Sequence, residues 1–92
     1  MTEIVFLALA NGQSVMGVIE QSSAQLPLSI HYPLMVQVDD AGEARFFPIL
    51  AREYMKDAGG KPYIDLGVEW VYRVPPSQIF LNAYQDATKR FY

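Results

Sequence analysis

The chain has one histidine, His31, and this limits the chemistry that its side chains could perform. A Ser-His-Asp arrangement would need a serine on a nucleophile elbow, and none of the candidates lies in such a sequence: Ser14, Ser22, Ser23, Ser29 or Ser77. With one histidine and no cysteine, neither a His-rich metal cluster nor a thiolate metal site is expected. Beside Tyr32 and Pro33 in a predicted strand, His31 is interpreted as a partly buried structural residue rather than a catalytic base.

Two short segments carry residue types that bind ions in other proteins. Asp39 and Asp40 could hold a cation, but acidic pairs before Ala-Gly usually build the turn itself. The Gly59–Lys61 segment superficially suggests phosphate binding, although the spacing of a phosphate-binding loop and its following helix are missing. We therefore expect no enzymatic activity, no metal and no cofactor.

Aromatic residues make up 13% of the chain, and their surroundings decide between base stacking and packing. Trp70 and Tyr72 are predicted to lie in the core or a subunit interface, because a base-stacking platform pairs its rings with a basic groove. The net charge is −3, and no basic run is longer than Lys89–Arg90. This balance argues against unspecific DNA binding. Phe91 and Tyr92, if exposed, could dock on a neighbouring chain.

Length and composition indicate one small domain, residues 1–92, that gains from self-association. Hydrophobic residues make up 51% of the sequence and charged residues only 18%, whereas about 25% charged is typical. A short chain buries a modest core, so oligomerisation is the expected way to cover the surplus apolar surface. No apolar run reaches the roughly 18 residues of a membrane span, and the start lacks a basic region, so a cytoplasmic protein is expected.

The opening hairpin is the strongest local signal. Two apolar runs, 4–10 and 13–19, meet at Asn11–Gly12, the preferred centre of a two-residue turn. The predicted pairs are Ala10 with Gln13, Ala8 with Val15, Phe6 with Gly17 and Ile4 with Ile19. This places Val5, Leu7, Met16 and Val18 on one face and Ile4, Phe6, Val15 and Ile19 on the other. Both faces are apolar, so another element or subunit must cover one of them. Gly17 marks a sharp bend or a close approach of another backbone.

Strand patterns dominate the rest of the chain. A second hairpin joins 26–38 to 44–50 through a turn at 39–42, with Pro33 at an edge or bend and Gly42 left-handed. Residues 51–60 read as a single helical turn or an excursion loop. Strict alternation over 63–74 predicts one half-buried strand that ends at Pro75. Residues 77–84 are predicted as the last strand, and 85–92 as a polar tail.

In this order the pieces resemble the Sm-like family. The first motif is the segment Leu9–Ile19, with its Asn-Gly turn and Gly17, followed in register by Leu26, Leu28 and Ile30. The second is the segment Val74–Ile79. The resemblance implies an all-β, small, strongly bent, five-stranded SH3-like barrel with an extra insertion at 51–67. Insertions of this kind are similar to those of divergent Sm-like proteins of tailed phages.

The departures from the family pattern concern its nucleotide site. Members that hold uridine carry an Asp and an Asn where this chain has Ser23 and Pro27, and an Arg-Gly-Asn turn where it has Pro75–Ser77. Proline supplies neither a cation nor a donor, so the standard RNA pocket is not expected. A weaker polar rim for single-stranded RNA could be formed by Ser23, Gln25, Ser77 and Gln78.

The resemblance also implies a closed homo-oligomeric ring, formed when one subunit's open edge pairs with a different edge of the next. The predicted interface residues are Val68, Trp70, Tyr72, Ile79, Leu81 and Tyr84. The main expectation is such a non-enzymatic ring with an RNA association. The alternative is a protein-interaction or assembly ring that binds no nucleic acid.

Overall fold

The computed structural model describes residues 2–20, 28–67 and 70–92. It is mostly β, with seven antiparallel strands and one C-terminal helix. The strands are β1 (Thr2–Leu9), β2 (Ser14–Glu20), β3 (Leu28–Val38), β4 (Ala44–Pro48), β5 (Lys56–Ala58), β6 (Lys61–Leu66) and β7 (Trp70–Val74). A 3-10 turn spans Arg52–Tyr54, and helix α1 spans Gln78–Phe91. The sheet order is β5-β6-β3-β2-β1-β7, with β4 paired to β3.

The opening hairpin forms, but its predicted register is wrong by one residue. Leu7 pairs with Val15 and Val5 pairs with Gly17. The Leu9 amide donates a hydrogen bond to the Gln13 carbonyl, which closes a loop of three residues, 10–12. Of these three residues only Gly12 has a positive φ, 88°. A three-residue loop ending in a left-handed glycine is the next common hairpin after the two-residue turn. The side-chain oxygen of Asn11 accepts a hydrogen bond from the Gln13 amide at 3.0 Å.

The corrected register exchanges the partners on the two faces of this hairpin. One cluster of buried side chains lies on the first face: Val5, Leu7, Leu9, Val15, Ile19, Ile30 and Leu66. On the second face Met16, Leu34, Val36 and Phe46 form a cluster with Tyr84 and Ala87 of α1, and Ile4 and Phe6 pack against it. Both faces are therefore apolar, as predicted, and α1 covers the second.

A bulge in β3 lies opposite Gly17. Met16 pairs with Leu34 and Val18 with His31, so Tyr32 and Pro33 together oppose the glycine. Tyr32 has a φ of 50°, the left-handed region that a non-glycine residue rarely adopts. Proline has no amide hydrogen to contribute to the ladder. The prediction of a bend at Pro33 is confirmed, and Gly17 does mark a close approach of another strand, that of β3.

The second hairpin is confirmed as β3 and β4. Val38 pairs with Ala44, and Gly42 has a φ of 80°. The Asp39 carboxylate accepts the Ala41 and Glu43 amides at 3.0 and 2.9 Å. The backbone hydrogen bond from Glu43, followed by the side-chain bond from Arg45, lowers the pKa of Asp39. Asp39 of the acidic pair therefore builds the turn, as predicted.

The prediction of a single strand over 63–74 is wrong, because two separate strands, β6 and β7, occupy this segment. Leu66 ends β6, which pairs with β3, whereas Trp70 begins β7, which pairs with β1. The alternating pattern is the same for one long strand and for two strands that join different ladders. Of the two forms predicted for residues 51–60, the single helical turn is present as the 3-10 turn at Arg52–Tyr54. The residues after it are not an irregular loop, because β5 pairs with β6 in a hairpin.

The predicted last strand over 77–84 is wrong, because α1 begins at Gln78. Ser77 caps it by accepting the Phe80 amide with its side chain. Phe80, Tyr84 and Ala87 follow helical spacing and face the second apolar cluster. The tail at 85–92 belongs to the same helix and its C-cap. Among the described residues, no helix is long and apolar enough to cross a membrane.

Candidate functional site

Strand β7 has an open edge that carries exposed apolar side chains. It pairs with β1 on one side and ends the sheet on the other, with no further strand among the described residues. Tyr72 is 66% exposed and Val74 43% exposed. Between them Arg73 pairs with Glu3, so the cation of this strand is already engaged. Ile79, in the first turn of α1, is 80% exposed.

A second open edge belongs to β4, which pairs only with β3 among the described strands. Phe47 on β4 is exposed, and so are Ile49 and Leu50 directly after it. Val38, the last residue of β3, and Tyr54, in the 3-10 turn, are exposed as well. Phe91, the remaining large exposed hydrophobic side chain that the structure describes, lies at the C-terminal end of α1 and is part of neither β7 nor β4.

The third edge, β5, is polar. Its three residues are exposed, and Lys56 pairs with Asp65 of β6 at 2.8 Å. Ser29 donates to the other oxygen of the same carboxylate at 2.8 Å. Hydrogen bonding from Lys56, then from Ser29, lowers the pKa of Asp65, and the same pair raises the pKa of Lys56. Short, charged edge strands disfavour pairing with another chain. The apolar edges β7 and β4 are thus the ones suited to association.

The predicted RNA rim is only partly described. Ser23 and Gln25 lie outside the described residues. Ser77 uses its hydroxyl to cap α1, and Gln78 donates to the Asn82 side chain at 2.9 Å. Both described members of the rim therefore have partners within the helix.

The predicted interface residues divide between the surface and the core. Val68 lies outside the described residues, and Trp70 pairs with Leu9 in the β7–β1 ladder. Tyr72 and Ile79 are exposed, whereas Leu81 is half-buried. Tyr84 is only 2% exposed, which corrects its assignment to an open edge. The error follows from reading 77–84 as a strand, since the helix turns Tyr84 toward the core.

Two tyrosine hydroxyls hold α1 on the bulge of β3, a contact that the sequence does not predict. Tyr84 donates to the Tyr32 carbonyl at 2.7 Å, and Tyr92 donates to the Pro33 carbonyl at 2.6 Å. Tyr32 and Tyr92 also meet edge to face at 5.5 Å. Burial raises the pKa of Tyr84 and raises that of Tyr92 to about 12. Tyr92 thus docks on its own chain. The helical spacing of Phe80, Tyr84 and Ala87 was the signal that could have identified this contact.

We expect Tyr84→Phe to lower the free energy of unfolding by about 1–2 kcal/mol, because it leaves a carbonyl of the bulge unpaired at a buried contact. Tyr92→Phe should cost less, since Tyr92 is only half-buried. Tyr54→Phe is the matched control, because Tyr54 is 74% exposed. Urea denaturation at one fixed protein concentration measures all three. Equal losses of unfolding free energy in Tyr84→Phe and Tyr54→Phe would contradict the proposed role of the Tyr84 hydroxyl.

His31 lies in β3 and is partly buried. Its ring packs against Tyr63 with centroids 5.3 Å apart, and its Nδ1 has no hydrogen-bond partner among the described residues. Comparison with protein-family models, with curated proteins and with solved structures finds no match for this chain.

Proposed function

We propose that this protein is a non-enzymatic assembly module of Sm-like type, whose copies join edge to edge into a closed ring. The observation that carries the proposal is the open edge of β7, where Tyr72 and Val74 are exposed; Ile79, at the start of α1, is exposed as well. Unpaired backbone groups next to apolar side chains favour the addition of another strand. The Sm-like part of the proposal is supported by the β1–β2 hairpin and by β1 lying between β2 and β7.

The partner of β7 in this proposal is the β4 edge of the next copy. The charged β5 edge is a poor partner, whereas β4 exposes Phe47 beside Ile49 and Leu50. Two different edges make the contact heterologous, and repeated heterologous contacts close into a ring when the rotation between copies allows it. Burying both groups of apolar side chains is the driving force.

RNA binding does not belong to the proposal. Ser77 and Gln78 have partners within α1, and the chain carries a net charge of −3. A ring that recognised RNA would need donors and cations free to reach phosphates and bases.

Light scattering at micromolar concentration should give a mass several times that of the 10.4 kDa chain. Fluorescence anisotropy with labelled oligo-U and oligo-A, over a salt series, should show no binding even at low salt. A monomeric mass would overturn the assembly proposal. Micromolar binding that weakens steeply with salt would instead support the RNA-associated ring.

A further inference from the structure

A groove runs between α1 and the β1–β2 hairpin. Two cavities of about 490 and 560 Å³ form it, and both are lined by Ile4, Val18 and Gln85. Ile4 and Val18 are direct partners across β1 and β2, so their side chains lie side by side on one face. Both are only partly buried. They form a continuous apolar floor that the helix leaves partly uncovered.

The polar side chains of α1 that face this groove are concentrated at one end. Gln85 and Lys89 lie four residues apart, and both line the cavity, so they share one side of the helix. The Lys89 ammonium has no ion pair among the residues that the structure describes. The hydroxyls of Tyr84 and Tyr92 are already donating to backbone carbonyls. This end therefore offers one free cation and one amide above apolar and aromatic surface.

Among the described residues, the lining of the other end carries no net charge. Glu3 lines it, but its carboxylate is paired with Arg73. The remaining wall contains the neutral Thr2 and the apolar Pro75, Pro76 and Leu81. The groove thus has a positive end and an apolar body, and its volumes fall in the range that holds small ligands.

We propose that this groove binds a small amphipathic carboxylate. The apolar chain lies over Ile4 and Val18, and the carboxylate accepts hydrogen bonds from Lys89 and Gln85. A charge-assisted bond at the positive end fixes the orientation, and burial of the chain supplies affinity. None of the exposed apolar side chains of the β7 and β4 edges lines the groove, so this proposal is independent of the ring.

The direct probes are decanoate and decylammonium, which share a chain and differ in the sign of the head group. Titration calorimetry below their micelle concentrations should show decanoate binding saturably, and decylammonium at least about tenfold more weakly, for one charge-assisted bond. Amide shifts on decanoate addition should map to β1, β2 and α1. Equal affinity for the two probes, no decanoate binding, or shifts confined to other elements would overturn the proposal.

Substitutions in the groove distinguish the contribution of the head-group contact to affinity from that of the apolar floor. Lys89→Glu should weaken decanoate at least about tenfold, whereas Lys61→Glu, at the exposed β5–β6 turn, should leave its affinity unchanged. Val18→Thr should weaken decanoate and decylammonium alike, because it changes only the floor. Unchanged decanoate affinity in Lys89→Glu, with its circular dichroism intact, would overturn the assignment.

Discussion

Replacing Gly17 with alanine should lower the free energy of unfolding by about 2–3 kcal/mol, and replacing it with valine should cost more. A Cβ at this position would overlap the Ile30 side chain and lie 3.1 Å from the His31 carbonyl oxygen. Ile30 is fully buried, so it cannot swing into solvent to make room. The His31 carbonyl is backbone next to the bulge, which limits its movement as well.

Urea denaturation with two controls tests this explanation. Gly67→Ala should change stability by less than about 0.5 kcal/mol, because nothing lies within 4 Å of the added Cβ and the residue is exposed. Ile30→Ala removes the group with which the new Cβ collides. The double variant Gly17→Ala/Ile30→Ala should therefore cost less than the sum of the single variants. Strict additivity would show that the glycine is needed for another reason.

The sequence predicts the hairpins of this fold better than their registers. Asn11–Gly12 fits a two-residue turn, but it fits equally a three-residue loop in which only the glycine is left-handed. The choice depends on which residues of β2 pack inward with Leu7 and Val5, and a hairpin with two apolar faces gives no local signal for that. One residue of difference exchanges the partners on both faces.

The sequence does not predict α1, for a related reason. Residues 79–84 are rich in apolar and aromatic side chains, and a short run of this kind fits either a strand or a helix. The decisive features are the cap at Ser77 and the packing of Phe80 and Tyr84 on the second face of the sheet. Packing of that kind is a tertiary effect, and it outweighs local strand propensity.

The sequence predicts only part of the candidate assembly site, namely residues of the β7 edge and not those of the β4 edge. The sequence identifies Tyr72 through the strand alternation that ends at Pro75. It also points to Ile79, but on the wrong ground of a strand over 77–84, since Ile79 lies in α1. The β4 edge was not identified, because Phe46 and Phe47 look alike in sequence. Pairing with Val36 turns Phe46 into the core, whereas Phe47 pairs with Met35 and stays exposed.

If the proposed ring forms through β7, the double variant Tyr72→Lys/Val74→Lys should convert it into monomers. Both side chains are exposed, so the substitutions leave the core intact, and lysines on an edge strand oppose pairing with another chain. Light scattering should show the mass falling to that of the 10.4 kDa chain, with circular dichroism unchanged. Phe91→Lys is the matched control, because it charges an exposed aromatic residue that belongs to neither open edge. Retention of the full mass in the double variant would contradict the role of β7.

Mixing two defective variants distinguishes a heterologous contact from a symmetric β7–β7 contact. Phe47→Lys should also give monomers if β4 is the partner edge, whereas a symmetric contact through β7 would leave it assembled. A Tyr72→Lys/Val74→Lys chain retains a normal β4 edge, and a Phe47→Lys chain retains a normal β7 edge. One joint can then form between them and none can follow it, since both remaining edges carry lysines. The mixture should therefore give a species of about twice the chain mass, because heterologous contacts need one intact edge of each kind. A mixture that stays monomeric would mean that β7 and β4 do not pair with each other.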